Sequence, residues 1–123
     1  MAFRPSLCWL ALTVGLVAGF TAAPRTQEAG ERSFTIAAHK YAFSPAVIEV
    51  NQDDLVRVTF TTDDIPHSFT IDKYRIAKRV EPGRTVVFEF RADQPGRFPI
   101  YCNLAIDARC KEMRGELVVK GRN

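Results

Sequence analysis

The chain has 123 residues, a formal net charge of +3 and 46% hydrophobic residues, which excludes two ordinary domains and matches the balance of one globular fold. No lysine–arginine cluster is interleaved with aromatic residues, so the composition argues against nucleic-acid binding. Nine Phe and three Tyr, together with frequent Val and Thr, favour β structure.

The amino-terminal segment has the layout of a secretory signal: a basic residue, a short apolar run beginning at Leu7, and small residues before Pro24. The run is shorter than the roughly 20 apolar residues that span a bilayer. We predict a signal peptide at 1–23, a flexible linker at 24–32 and one domain at 33–121. Pro24 is a poor residue just after a cleavage point, so retention of the segment as a membrane anchor stays open. Either outcome makes the protein periplasmic or secreted.

The rest of the chain alternates apolar and polar residues in short stretches separated by Gly, Pro, Asn and Asp, which is typical of an all-β sandwich or barrel. Helical turns are expected within Asp72–Val80 and Ala105–Met113. Seven strands are predicted, at Ser33–Lys40, Ala46–Val50, Leu55–Thr62, His67–Ile71, Thr85–Phe90, Gly96–Cys102 and Gly115–Val119. The expected core residues are Phe43, Val58, Phe60, Phe69, Phe88 and Phe90.

Three sulfur side chains lie close together at and after the end of the penultimate predicted strand: Cys102, Cys110 and Met113. Thiolates, a thioether and the imidazole of His67 are soft to borderline ligands, which suit copper better than magnesium or calcium. A sandwich can bring the loop between its last two strands beside the start of a central strand, where His67 lies. Export also permits a disulfide between the two cysteines, so both interpretations stay open. The other histidine, His39, is expected at the surface.

Several stretches together resemble the cupredoxins, in particular the branch with the copper A domains of cytochrome c oxidase subunit II and nitrous oxide reductase. They are "YAFSPAVIEVNQDDLVRVTFTTDDIPHSFTI", "VEPGRTVVFEF", "GRFPIYC" and "MRGELVV", and the resemblance covers roughly Phe34 to Lys120. It implies a Greek-key β-sandwich, copper at one end, and electron transfer. We therefore predict an all-β, cupredoxin-like Greek-key sandwich of seven to eight strands.

The sulfur-rich loop departs from the copper A pattern Cys-x3-Cys-x3-His-x2-Met. Cys102 matches the first cysteine and Met113 the methionine, but Ile106 stands at the second cysteine and Cys110 at the histidine. Ile106 cannot bridge two metal ions, so a dinuclear centre is not expected. We predict one copper ion bound by His67, Cys102 and Cys110, with Met113 as a weaker fourth ligand. Two thiolates would lower the reduction potential relative to a site with two histidines.

The resulting hypothesis is a monomeric one-electron carrier that docks with a redox partner protein and is not an enzyme. One alternative is a copper carrier or buffer that exchanges the ion with a donor or acceptor protein. Another is a metal-free interaction module with a Cys102–Cys110 disulfide. Membrane contact is expected only if the amino-terminal segment is retained. The aspartate pairs Asp53-Asp54 and Asp63-Asp64 are interpreted as solvated loops, because neither flanks a substrate cleft.

Overall fold

The structure, a computed structural model, describes residue 2, residues 14–20 and residues 29–122. Most of the predicted signal peptide (1–23) and of the linker (24–32) lies outside the described residues. Residues 14–20 have no regular secondary structure. Among the residues that are described, no helix has the length and apolar character needed to cross a membrane.

Strands dominate residues 31–120. They are β1 (Glu31–His39), β2 (Ala42–Ser44), β3 (Val47–Asn51), β4 (Leu55–Thr62), β5 (His67–Ile71), β6 (Ile76–Val80), β7 (Arg84–Arg91), β8 (Gly96–Tyr101) and β9 (Arg114–Lys120). They form two sheets, one of four strands in the order β2-β1-β4-β7 and one of five in the order β3-β9-β8-β5-β6. Short 3-10 helices at Asp72–Tyr74 and Cys110–Glu112 occupy two connections, where helical turns are expected from the sequence.

The prediction of an all-β sandwich is confirmed. The described residues form nine strands, two more than the seven identified from the sequence and one more than the upper end of the predicted seven to eight. β2 is only three residues long, too short to show an alternating pattern. β6 is buried only at its two ends, Ile76 and Val80, with exposed residues between them. Such a strand does not alternate, because it lies at the edge of its sheet.

Buried and exposed residues alternate along the strands, so that the buried side chains form a core between the two sheets. In β4, Val56, Val58 and Phe60 are fully buried, whereas the residues between them are more exposed. β4 lies between β1, to which it is parallel, and β7, to which it is antiparallel. Its inward face therefore meets the five-stranded sheet across the sandwich, as period-two alternation requires.

Aromatic side chains fill the centre of this core. Phe69 of β5 lies 5.7 Å from Phe60 and 5.3 Å from Phe88, measured between ring centroids. Of the six predicted core residues, all but Phe90 are buried. Phe90 is half-buried and packs on Tyr74, with 5.2 Å between ring centroids.

The prediction of a solvated loop at Asp53-Asp54 is wrong for Asp54, which is 2% exposed. Its carboxylate accepts hydrogen bonds from the backbone N–H groups of Gly30 and Asn51, at 3.0 and 2.9 Å. Arg32 lies 3.6 Å from the same carboxylate. A buried carboxylate needs such partners, and here it ties the start of β1 to the turn between β3 and β4.

Position 115 in β9 requires glycine, because the backbone of Ala46 approaches it closely. A Cβ atom at this position would lie 2.6 Å from the carbonyl oxygen of Ala46, which already accepts a hydrogen bond from the N–H of Glu116 at 2.8 Å. We expect Gly115→Ala to lower the free energy of unfolding by about 1–3 kcal/mol, because strands β3 and β9 must separate to admit the methyl group.

Urea denaturation measures this loss, and Gly121→Ala is its matched control. A Cβ atom at Gly121 makes an ordinary contact, 3.5 Å from a carbon of Pro95, so this variant should change the free energy of unfolding by less than about 0.5 kcal/mol. Equal effects of the two substitutions would contradict the explanation.

Candidate metal centre

The start of β5, the end of β8 and the start of β9 lie at the same end of the five-stranded sheet, because β8 is antiparallel to both of its neighbours. This end carries all four of the predicted site residues. The connection from Cys102 to Met113, which joins β8 to β9 at this end of the sheet, is called the sulfur loop (residues 102–113). The topology therefore positions an imidazole and three sulfur side chains on adjacent elements.

His67 is the first residue of β5 and is fully buried. Its Nε2 lies 2.9 Å from Oδ1 of Asp64. Its Nδ1 is buried and has no hydrogen-bond partner among the described residues. A buried polar atom without a partner is costly and needs an explanation, and a metal ligand is one such explanation.

Asp64 determines which nitrogen of His67 carries the proton. Burial disfavours the charged carboxylate, but hydrogen bonds from the backbone of Lys40 and Ile65, and from His67 and Thr62, outweigh it and hold the pKa of Asp64 well below its usual range. An ionised carboxylate only accepts hydrogen bonds, so Nε2 of His67 donates. In the neutral imidazole the free lone pair then lies on Nδ1.

Cys102 follows β8, and Cys110 begins the 3-10 helix at Cys110–Glu112; both side chains are buried. The two cysteines are joined by a disulfide, one of the two possibilities that their spacing leaves open. Met113 is fully buried next to them, and its backbone N–H donates to the carbonyl of Cys110 at 3.1 Å.

A pair of polar residues connects the histidine strand to the sulfur loop. The backbone N–H of Ser68 donates to Sγ of Cys102 at 3.4 Å. The Ser68 hydroxyl donates to Oδ1 of Asn103 at 2.6 Å and accepts from the Asn103 backbone N–H at 2.8 Å. These bonds fix Cys102 beside the residue that follows His67, so the imidazole and the first sulfur belong to one buried end of the sandwich.

The donor set fits a soft metal once the disulfide is opened. In the disulfide form, the described residues present no group of three or more His, Cys, Asp or Glu side chains arranged to hold a metal ion. Thiolates, and not disulfide sulfurs, are the metal ligands that cysteine provides. Reduction would provide two thiolates beside a buried thioether and a buried imidazole nitrogen, for which the described part of the chain offers no hydrogen-bond partner.

His39 is exposed, as predicted from the sequence. It lines an open surface cleft of about 330 Å³ together with Asp63 and Arg84. The cleft lies at one end of the four-stranded sheet, and none of the described residues that line it carries sulfur. His39 therefore does not line a common pocket with the two cysteines or Met113.

The sequence interpretation missed Asp64 and Tyr41. Asp64 was assigned to a solvated loop, although it stands three residues before His67, the spacing at which a turn can bring carboxylate and imidazole together. Tyr41 appeared only as part of a Tyr-x-Phe-x-Pro stretch. Its hydroxyl donates to Oδ2 of Asp107 in the sulfur loop at 3.0 Å.

A two-sheet sandwich with a buried histidine opening a central strand, and a sulfur-bearing loop at the same end, defines the cupredoxin class of fold. The chain belongs to the family described as "Cupredoxin-like domain", whose model matches residues 10–119. The resemblance to cytochrome c oxidase subunit 2 and nitrous-oxide reductase is confirmed by the relatives that follow.

Over 83 residues the chain is 34% identical to a nitrous-oxide reductase of Cupriavidus necator, covering 64% of this chain and 13% of that protein. Over 95 residues it is 28% identical to a cytochrome c oxidase subunit 2 of Thermus thermophilus, covering 76% of this chain and 70% of that protein. The chain therefore corresponds to a small part of the reductase and to most of the oxidase subunit.

Solved structures agree with the fold. The periplasmic domain of subunit II of cytochrome oxidase from Bradyrhizobium japonicum aligns with a TM-score of 0.64 at 15% identity, over 73% of this chain and 84% of that one. Auracyanin A, a "blue" copper protein from Chloroflexus aurantiacus, aligns with a TM-score of 0.62 at 16% identity, over 74% of this chain and all (100%) of that one. At these identities the likeness shows the fold alone.

Proposed function

We propose that this protein is an exported, monomeric copper protein that transfers single electrons and is not an enzyme. One copper ion would be held by His67, Cys102, Cys110 and, more weakly, Met113. The observation that carries the proposal is the buried Nδ1 of His67, which has no hydrogen-bond partner among the described residues. Membership of the cupredoxin-like family and the soft character of the neighbouring side chains support it.

The proposal requires the disulfide to open before copper binds. A dithiol reductant supplies two electrons and two protons, breaks the bond between Cys102 and Cys110, and is itself left as a disulfide. The two cysteine thiols then lose their protons as they become ligands. Bound copper would supply a one-electron cycle between its Cu(I) and Cu(II) states.

The chain's own residues would orient and shield the ion. Asp64 accepts a hydrogen bond from Nε2 of His67, which would leave Nδ1 to bind the ion, and the backbone N–H of Ser68 donates a hydrogen bond to the Cys102 sulfur. The four proposed ligands are buried. Burial excludes water, and the surrounding hydrogen bonds fix the ligands and tune the metal.

Localisation and partners follow from the same hypothesis. We infer a periplasmic or secreted protein from the signal-like segment at 1–23, with membrane attachment if that segment is retained. The linker predicted at 24–32 overlaps β1 at Glu31 and Arg32, so the domain proposed at 33–121 begins two residues earlier, at Glu31. Its partner would be a redox protein. A copper donor or acceptor would be the partner if the ion is carried or buffered instead of undergoing redox turnover.

The disulfide favours a second candidate function, a metal-free interaction module. In that case Cys102 and Cys110 would remain joined and would serve only to pin the sulfur loop. Copper uptake by the reduced protein is therefore the decisive experiment.

We expect the reduced protein to bind one copper ion and His67→Gln to bind it at least about 100-fold more weakly. Removing a residue that only hydrogen-bonds to a metal ligand already lowers metal affinity roughly 10- to 100-fold, and removing the ligand itself should cost more. The measurement is a copper titration followed by absorption and electron spin resonance after removal of the reductant. His39→Gln is the matched control, since His39 is exposed and the cleft that it lines contains no cysteine or methionine among its described residues. If the reduced wild type takes up no copper, the metal-free module is favoured. If it does take up copper, reversible one-electron cycling indicates an electron carrier, and its absence indicates a copper buffer.

A further inference from the structure

The turn between β1 and β2 contacts both halves of the candidate site through two consecutive residues. The backbone N–H of Lys40 donates to Oδ2 of Asp64 at 2.6 Å, and Oδ1 of Asp64 accepts from Nε2 of His67 at 2.9 Å. The next residue, Tyr41, donates its hydroxyl to Oδ2 of Asp107 in the sulfur loop at 3.0 Å. One turn therefore connects the imidazole's partner to the loop that carries the cysteines.

Tyr41 makes two kinds of contact with the sulfur loop. Besides the hydrogen bond to Asp107, its ring lies under the guanidinium of Arg109, with 4.2 Å from the guanidinium carbon to the ring centroid. The backbone N–H of Arg109 donates to the other oxygen of the same carboxylate at 2.9 Å. The hydrogen bond to Asp107 holds the pKa of the Tyr41 phenol above its ordinary value, so the hydroxyl is a donor at neutral pH.

The middle of the sulfur loop has little else to hold it. Ile106 is 61% exposed, so the tip of the loop buries little apolar surface. Within the part of the chain that the structure describes, the Tyr41–Asp107 bond is the one hydrogen bond between residues 104–109 and an element outside the loop. Apart from this bond, the ring contact and the packing of Leu104 on the core, the disulfide is the main constraint on this segment.

We infer that Tyr41 is a positioning residue that keeps the sulfur loop closed after the disulfide opens, so that Cys110 stays beside Cys102. A free loop regains conformational entropy when its cross-link is broken. A contact that opposes this opening raises the effective concentration of one thiol at the other. It would favour disulfide formation under oxidising conditions and present two preorganised thiolates under reducing ones. The second consequence rests on the proposed copper function; the first does not.

The test is the thiol–disulfide equilibrium of the metal-free protein in glutathione buffers, read by alkylation of free thiols and mass spectrometry. Tyr41→Phe removes the hydroxyl and keeps the ring. We expect it to lower the effective concentration of the thiols by about three- to tenfold, the equivalent of one hydrogen bond. The matched control is Tyr101→Phe, because the Tyr101 hydroxyl also donates to an aspartate, Oδ1 of Asp72 at 2.7 Å. Tyr101 adjoins Cys102 in sequence, but its partner lies outside the sulfur loop.

A shift for Tyr41→Phe without a shift for Tyr101→Phe supports the inference. No shift for Tyr41→Phe, or equal shifts for both variants, overturns it. A double-mutant cycle with Asp107→Ala gives a second reading: because the two side chains act through one bond, their effects should combine to less than the sum. Fully additive effects would also overturn the inference.

Copper uptake separates this inference from the proposed function. If reduced wild type binds copper, Tyr41→Phe should bind it more weakly and with a broader absorption band, because the thiolates are less well held. If reduced wild type binds no copper, the proposed function fails, and the glutathione equilibrium alone still decides the role of Tyr41.

Discussion

Replacing Cys110 with histidine is expected to let the protein take up copper without any reductant and to give it the strong blue colour of a mononuclear site. The substitution removes one partner of the disulfide, so Cys102 stays a free thiol. It also places an imidazole at the loop position where the copper A pattern has one. Two imidazoles, one thiolate and a weak methionine form the blue-copper ligand set. Because the site then has one thiolate fewer, its reduction potential should be higher than that of copper-loaded wild type.

Absorption and electron spin resonance of copper-treated protein, with and without prior reduction, provide the measurement. Cys110→Ser is the control, because it also abolishes the disulfide but supplies no soft ligand; its copper affinity should be lower than that of Cys110→His. Cys102 is fully buried, which protects the single thiol from pairing between molecules. A Cys110→His protein that still requires reductant, or that shares the spectrum of copper-loaded wild type, would contradict the assignment of Cys110 as a ligand.

Most of the fold could be predicted from the sequence, because in most strands the pattern of apolar and polar residues reflects which side chains are buried. β4 has one face in the core and alternates along its length, so its bounds, Leu55–Thr62, match the prediction. β5 is buried on both faces, and its bounds, His67–Ile71, also match the prediction. β2 and β6 were missed because a three-residue strand and an edge strand give no periodic signal.

The candidate site was predicted less completely, and the reasons are geometrical. Residue types, together with the resemblance to the cupredoxins, make His67 and Cys102 candidate ligands, because few soft side chains occur in the chain. They do not reveal that Asp64 accepts from His67, since this depends on the conformation of the turn between them. Nor does a separation of 8 residues between the two cysteines distinguish a disulfide from two thiolates. That distinction depends on the oxidation state of the protein's surroundings, which residue patterns do not encode.

Truncating Phe69 to alanine is expected to lower the free energy of unfolding by about 3–5 kcal/mol, the range for buried Phe-to-Ala changes. Phe69 is fully buried and meets three other rings, with centroid distances of 5.7 Å to Phe60, 5.3 Å to Phe88 and 6.3 Å to Phe43. The three rings belong to β2, β4 and β7 of the four-stranded sheet, whereas Phe69 lies in β5 of the five-stranded sheet, so the cavity would lie where the two sheets join. The strands on either side cannot move into such a cavity without breaking the backbone hydrogen bonds that join them to their neighbours.

The substitution should also affect the candidate metal centre, because Phe69 and His67 are two residues apart in β5 and project from the same face of the strand. Urea denaturation of the disulfide form gives the stability, and copper affinity of the reduced form gives the effect on the site. Val87→Ala is the control: Val87 is 47% exposed on β7, and its truncation should cost less than about 0.5 kcal/mol. A loss below about 1.5 kcal/mol for Phe69→Ala would show that the two sheets can collapse around the missing ring, and that the aromatic cluster does not hold the histidine strand in place.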